Sequence, residues 1–342
     1  MKGDRLVIRC VFCIFLWQIL FAIPVDTFYG TLEVTEPVLI DLIESPCMQR
    51  LKLIHQYGVA YYTTHSEEYS RYDHSIGVFA VLRLKGASLQ EQIAGLLHDV
   101  SHTVFSHVGD WVFGKANEEK DYQNSIHLEF LEKCGAVKIL ARHGIKAESV
   151  MPTSELCPLL EKPLPDLCAD RIEYNLQGAY HRGFITREEA RRLVDDFCIM
   201  DGEWVSTNVD LLLKMARFSL FMNEQCWGSV DNYLRSMWLA EALLRGSEIG
   251  VLSLDDIRYG TDDAVWKRMK ESEDEMIRSL MLRVRFLSDS KVAANKVLRC
   301  RFRGVDPKVL CVAGIRRLSE IHSEFGREFR TMKERYAQGF SG

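Results

Sequence analysis

The chain has 342 residues, 47% of them hydrophobic, and a net charge of −5. That is enough apolar material for one large domain or a core with a helical appendage, and it gives no whole-chain electrostatic attraction for nucleic acid; only a local basic cleft would favour such a partner. Eight prolines and 22 glycines without biased tracts leave little room for disorder, and no internal repeat is present.

At the N-terminus, Lys2, Arg5 and Arg9 precede an apolar run from Cys10 to Ile23. This is the layout of a signal peptide and is short for a transmembrane helix. A cleavage site is poorly defined: Ala22 could close it, but Leu20 is not small and Pro24 follows. The competing reading of residues 1–24 is a hydrophobic extension packed on the core. The expectation is a cytoplasmic protein, the alternative being export, or membrane association if residues 10–23 are retained as an anchor. Of ten scattered cysteines only Cys10 and Cys13 are close, with no second pair to complete a zinc site. The others read as small buried hydrophobes in a reducing compartment.

Residues 25–34 read as a short strand. Residues 36–44 and 46–56 read as helices, the second with Pro46 near its first turn. Residues 61–69 are polar and read as a loop. Two helical stretches follow, one with Ile76, Phe79, Val81 and Leu82 on its apolar side, the other opened by the capping box Ser88-Leu-Gln-Glu91 with Ile93, Leu96, Leu97 and Val100 inward. Residues 105–113 and 121–133 read as helical, with Gly135 as the stop. Residues 136–163 are irregular with one helix, and 164–180 read as a helix. Thr186-Arg-Glu-Glu189 is a second capping box, for a helix to Phe197. Long helices are expected over 208–227 and 230–245, three more after Ser253, Thr261 and Ser272, and a strand over 297–302. Apolar residues from Ile315 to Tyr336 recur every three to four positions and predict one amphipathic helix with a basic outer face. Strand signal is scarce, so the fold is mainly α.

The chemistry concentrates between Arg71 and Asp110, which hold His74, an adjacent His98-Asp99, His102 and His107. On a helix continued through His102, His98 and His102 share a face. A lone helical histidine is ordinarily a surface or satisfied core residue; four in one stretch flanked by apolar helix point to a metal site. Asp170, in LCADRIEY, adds a carboxylate. Imidazole with carboxylate suits a borderline divalent metal, Mn, Fe, Ni or Zn, and not a cysteine-based structural zinc.

The order His74, His98-Asp99, Asp170 resembles the H…HD…D pattern of the HD-domain superfamily of metal-dependent phosphohydrolases. QRLKLIHQYG (49–58), RYDHSIGV (71–78), AGLLHDVSHTVFSH (94–107) and ADRIEY (169–174) are similar to the branch containing deoxynucleoside triphosphate triphosphohydrolases, and VDTFYGTLEV (25–34) looks like the strand that opens it. The resemblance runs from about Val25 to Phe184. It implies His74, His98, Asp99 and Asp170 as metal ligands, with Mg a further ion that could accompany the substrate. It implies His102 and His107 beside the phosphates, one of them a proton donor, and Asp110 as the carboxylate orienting a catalytic histidine. Arg71 and Arg171 would hold phosphate charge, Tyr174 would lie under the sugar or base, and Gln56 would face the base.

Three departures stand out. Gln177 and Gly178 replace the family's usual Arg-Asp pair, whose Asp meets the sugar. Asp121 stands where relatives often carry histidine. The later arginine-and-tyrosine motif has only Arg217 and Trp227 as loose counterparts. The expected organisation is an HD phosphohydrolase core over 25–200 and a mainly helical region over 201–342 continuous with it. The expected function is hydrolysis of a nucleotide, foremost a dNTP. The alternatives are a nucleotide monophosphatase or phosphodiesterase, and a catalytically weakened nucleotide-binding regulator. A small-molecule nucleotide and a second copy of the chain are the expected partners; nucleic acid is not favoured.

Overall fold

The computed structural model describes residues 22–64, 69–114, 121–287 and 297–341. Nearly all of the signal-like segment lies outside these residues. The chain is mainly helical, as its periodicity predicts. The expected opening strand is a hairpin of β1 (Ile23–Thr27) and β2 (Gly30–Val34), in register Val25 with Leu32. Phe28 and Tyr29 form its turn, because Gly30 takes φ +115°. Helices α1 (Pro37–Ile43) and α2 (Pro46–Leu51) follow, α2 stopping short of the expected end.

Helix α3 (Arg71–Leu84) starts at a capping box in which Asp73 N donates to Ser70 Oγ at 3.2 Å and Ser70 N donates to Asp73 Oδ2 at 2.9 Å. From His74 to Leu82 every residue of α3 is buried, so it is a central helix, enclosed on all sides. It packs on α4 (Leu89–Leu97) and on α8 (Ala169–His181). Between them lie α5 (Val108–Val112), α6 (Tyr122–Lys133) and α7 (Ala136–Arg142). Cys47 of α2 and Cys134, just after α6, form a disulfide with Cα atoms 5.6 Å apart, which corrects the reading of these two as free thiols. Their separation of 87 residues carries no spacing signal.

After α9 (Arg187–Asp196) come strands β3 (Cys198–Met200) and β4 (Glu203–Ser206), then α10 (Val209–Gln225) and α11 (Val230–Glu248). Shorter helices α12 (Leu254–Tyr259), α13 (Asp262–Glu271) and α14 (Glu275–Phe286) follow; Asp274, not Ser272, caps α14. The expected strand 297–302 is regular only over β5 (Val297–Leu298). The expected helix from Ile315 is divided: β6 (Lys308–Cys311) and β7 (Gly314–Arg317) pair before a single helical turn and α15 (Ser323–Gln338), and β8 (Phe340–Ser341) returns to β5. The four-stranded sheet runs β3-β4-β6-β7. Among the described residues no helix is long and apolar enough to cross a membrane.

Two apolar cores form. The larger gathers α1 to α4 with α8, α9 and α10. The smaller gathers α11 to α14, and Val104, Phe105 and Val108 plug into it. The stretch between α4 and α5 is therefore wedged between the two cores, and that stretch carries the histidines.

Candidate metal centre and its cavity

His74, in the first turn of α3, is 1% exposed. Its Nδ1 is hydrogen-bonded to the fully buried carboxylate of Glu173 on α8. A carboxylate fixes the ring proton on Nδ1, so Nε2 presents a lone pair. His98 does the same by another route: its Nδ1 donates to Gly95 O at 2.7 Å. The two Nε2 atoms then face each other at 3.2 Å. Asp170 Oδ1 is 3.0 Å from the first and 3.5 Å from the second. Asp99 closes the cluster, its Oδ1 3.5 Å from His98 and its Oδ2 3.7 Å from His74.

Two imidazole lone pairs this close repel each other unless a positive charge lies between them. Burial opposes a charged ring, yet Glu173 and Asp170 outweigh it and push the His74 pKa up to about 10; Asp99 and Asp170 raise that of His98. Burial likewise opposes charge on Asp99, but Arg71 and the histidines hold it well below the usual carboxylate range. The attraction for a proton is the attraction a divalent cation would satisfy, and His74, His98, Asp99 and Asp170 fit one as nitrogen and oxygen donors. When bound, such an ion activates water or polarises a phosphoryl oxygen. Gly77 is part of this arrangement: a Cβ there would meet Glu173 Oε1 at 2.4 Å.

The expected continuous helix through His102 is corrected. Helix α4 ends at Leu97 with His98 as its cap, and His102 N bonds back to Asp99 O at 3.1 Å in a tight turn. Asp99, not a shared helix face, brings the histidines together, with His102 Nε2 3.2 Å from Asp99 Oδ1. Burial, reinforced by Arg71, pulls the His102 pKa down to about 3, so the ring is neutral near pH 7. Phe105 and Ser106 then take φ of +57° and +59°, a left-handed conformation rare for non-glycine residues. Distant residues hold it. Phe105 N donates to Asp262 Oδ1 at 2.7 Å and His55 N donates to Asp262 Oδ2 at 2.9 Å. Arg50 donates to His102 O at 3.0 Å and to Gly260 O at 2.9 Å. Ser106 Oγ accepts from Arg71 Nε at 2.8 Å and donates to His55 O at 2.9 Å.

His107 Nδ1 lies 3.3 Å from Asp110 Oδ2 and 3.7 Å from Asp121 Oδ2. Asp121 is also paired with Arg301, and Arg303 Nη2 is 3.6 Å from it. These groups and the metal cluster open on one cavity of about 980 Å³. Gln56, Arg71, Arg171, Tyr174 and Trp227 line it, and the edge of Trp227 meets Tyr174 at 5.5 Å between ring centres.

Several expected roles change. Arg71 is 3% exposed and bound to Asp99 and Ser106, so it braces the metal ligand. Arg171 donates to Asp166 O at 2.9 Å. Arg217 is outside the cavity wall and pairs with Glu328 at 2.9 Å. Gly178 is closely packed: a Cβ would lie 2.8 Å from Tyr57 Oη and 3.2 Å from Phe218, so a larger residue there requires those side chains to shift. Sequence reasoning missed Glu173, Asp262, His127 and the arginines at 301 and 303. Glu173 could have been found, three residues after Asp170 on one helix face, and the alternation Arg299, Arg301, Arg303 marks an extended basic edge. Asp262 carries no local signal.

Residues 71–153 match the model of the HD domain. The chain is 34% identical over 262 residues, 75% of its length, to the uncharacterized protein YdhJ of Bacillus subtilis, covering 78% of that protein. It is 30% identical over 295 residues to the metal-dependent phosphohydrolase cns2 of Cordyceps militaris, covering 83% of this chain and 84% of that one. A shorter stretch of 138 residues, 34% of the chain and 21% of the relative, is 34% identical to the mouse deoxynucleoside triphosphate triphosphohydrolase SAMHD1. With these matches and a buried cluster of His74, His98 and Asp99 beside the half-buried Asp170, the chain belongs to the HD-domain metal-dependent phosphohydrolases.

Proposed function

We propose that the protein hydrolyses a phosphate bond of a nucleotide, and that a dNTP cut to nucleoside and triphosphate is the leading substrate. The observation that carries this reading is the cavity's division of labour. The histidine and aspartate cluster occupies one wall, the Tyr174 and Trp227 rings offer a surface for a base or sugar, and Arg299, Arg301 and Arg303 line another side. Guanidinium groups and a cation-binding cluster in one cavity suit a chain of phosphates, because the planar guanidinium can pair two oxygens of a phosphate at once. Mn, Fe, Ni and Zn all suit the donor set. His107, hydrogen-bonded to Asp110, is the group best placed to deliver a proton to the leaving oxygen.

A second reading, a monophosphatase or phosphodiesterase, is favoured by Asp121. It already pairs with Arg301, which leaves less positive charge for a polyphosphate. Purified protein loaded with Mn²⁺ and given matched dNTPs, NTPs, monophosphates and a cyclic diester separates the two. Release of inorganic triphosphate supports the first reading; release of orthophosphate from monophosphates, or opening of the cyclic diester to a monophosphate, without triphosphate release replaces it with the second; no turnover of any nucleotide refutes both. Because glycine at position 178 offers the sugar no carboxylate, matched dNTP and NTP should react within roughly tenfold of each other, unlike a site built to pair a substrate hydroxyl.

A further inference from the structure

One buried imidazole has no role in the site as described so far. His127, on α6, is 1% exposed and lines the cavity. Its Nδ1 is 2.8 Å from the hydroxyl of Ser101, in the turn between the metal-binding Asp99 and His102. Its Nε2 is buried and has no hydrogen-bond partner. A buried polar atom left unpaired is costly, and natural proteins retain few of them. Burial, with His98 adding to it, pulls this imidazole's pKa down to about 4, so the ring is neutral near pH 7. A neutral imidazole must donate at one nitrogen and accept at the other.

We infer that His127 is a further substrate-contacting residue: Ser101 donates to its Nδ1, and the proton thereby kept on Nε2 is donated to a non-bridging phosphoryl oxygen in the cavity. This rests on the phosphohydrolase reading of the same cavity. Two features support it. The Ser101 link ties the ring to the turn that presents Asp99 and His102, so its position is fixed relative to the metal cluster. An acceptor arriving with the substrate would satisfy Nε2, because none of the described residues does. A neutral donor adds a hydrogen bond without adding charge to a wall already rich in arginine.

Two isosteric variants separate this role from a structural one. In His127→Asn the amide oxygen takes the place of Nδ1 and accepts from Ser101, while the donor at Nε2 is lost. In His127→Gln the amide nitrogen reaches the place of Nε2 and gives up the Ser101 link. With the full chain loaded with Mn²⁺, the readouts are bound metal by elemental analysis, orthophosphate affinity by calorimetry, and turnover of a nucleotide and of a chromogenic phosphodiester. Asn should weaken orthophosphate binding by about ten- to a hundredfold, the range for a hydrogen bond to a charged group, and lower turnover. Gln should stay within about threefold of the parent, and metal content should be unchanged in both. Should Asn fail to fold, His127→Leu repeats the removal. The inference is overturned if the removal variant binds orthophosphate like the parent, if Asn is active while Gln fails, or if either variant loses its metal. A parent protein that binds orthophosphate but cleaves no nucleotide refutes the nucleotide reading alone, since the binding comparison still decides the role of His127. A parent that binds no orthophosphate overturns this inference.

Discussion

Asp262 lies far along the chain from every metal ligand and yet holds their geometry, so Asp262→Ala is the sharpest test of how the site is supported. The residue is fully buried, and its two oxygens accept from Phe105 N at 2.7 Å and His55 N at 2.9 Å. Truncation leaves both amide donors unpaired inside the protein. At about 1–3 kcal/mol for each buried orphan, the expected loss is about 2–6 kcal/mol. Asn keeps one acceptor and should cost about half as much. The left-handed residues Phe105 and Ser106 then drive the turn to relax, because their strain persists only where the surroundings enforce it, and its release offsets part of that loss. Once released, that turn carries Ser106 away from Arg71, and Arg71 is what braces Asp99. Loss of stability and loss of metal should therefore appear together. Urea unfolding followed by circular dichroism gives the first, and elemental analysis of the folded variant the second. An Asp262→Ala protein within about 0.5 kcal/mol of the parent, the spread of an ordinary surface change, would refute the reasoning.

Other perturbations separate the site's parts. His98→Ala or Asp99→Ala should abolish most metal binding while the helical signal persists, since Ile93, Leu96 and Leu97 anchor α4; elemental analysis decides it, and full occupancy in both would break the assignment. His107→Ala should keep the metal and lose about 10²–10⁴-fold in turnover; a change below about threefold would make it structural. Glu173→Gln, which weakens the partner of His74 Nδ1, should reduce metal affinity about 10–100-fold in a competition titration with a chelator, and unchanged affinity would leave Glu173 a mere packing group. Asp121 is held below the usual carboxylate range, because His107, Arg303 and Arg301 outweigh its burial. A depressed carboxyl contributes stability above its unfolded pKa and loses it as pH falls. The stability gap between the parent and Asp121→Asn should thus be widest near pH 7 and close below about pH 4; a constant gap in denaturant titrations would show that its ion pairs are not what matters.

The candidate metal residues were legible because their residue types and order single them out without any knowledge of packing. The helices were legible where caps are written locally, as at Ser88 and Thr186. What failed was whatever depended on distant partners. Periodicity carries α4 past His98, but the turn that stops it is pinned by Arg50 and Asp262, which no window around His98 contains. Gly178 read as a lost carboxylate, whereas the position is filled by Tyr57 and Phe218 arriving from other segments. The split near residue 318 hides because Ile315 falls on the same three-to-four spacing as the helix although it is exposed on β7, and the pairing of β6 with β7 decides against the helix.

The clamp on the histidine turn also bears on when the site can exist. Arg50 and His102 emerge early in synthesis, but the carbonyl at Gly260 and the carboxylate at Asp262 emerge about 160 residues later. Asp170 itself precedes Asp262 by about 90 residues, so at about 5–20 residues per second all four candidate ligands are made roughly five to twenty seconds before their support is complete. A ribosome-bound or prematurely ended chain that stops between residues 170 and 260 carries all four candidate ligands and lacks what fixes them. Ordering of the histidine turn is therefore expected late in the birth of the protein, coupled to completion of the smaller core.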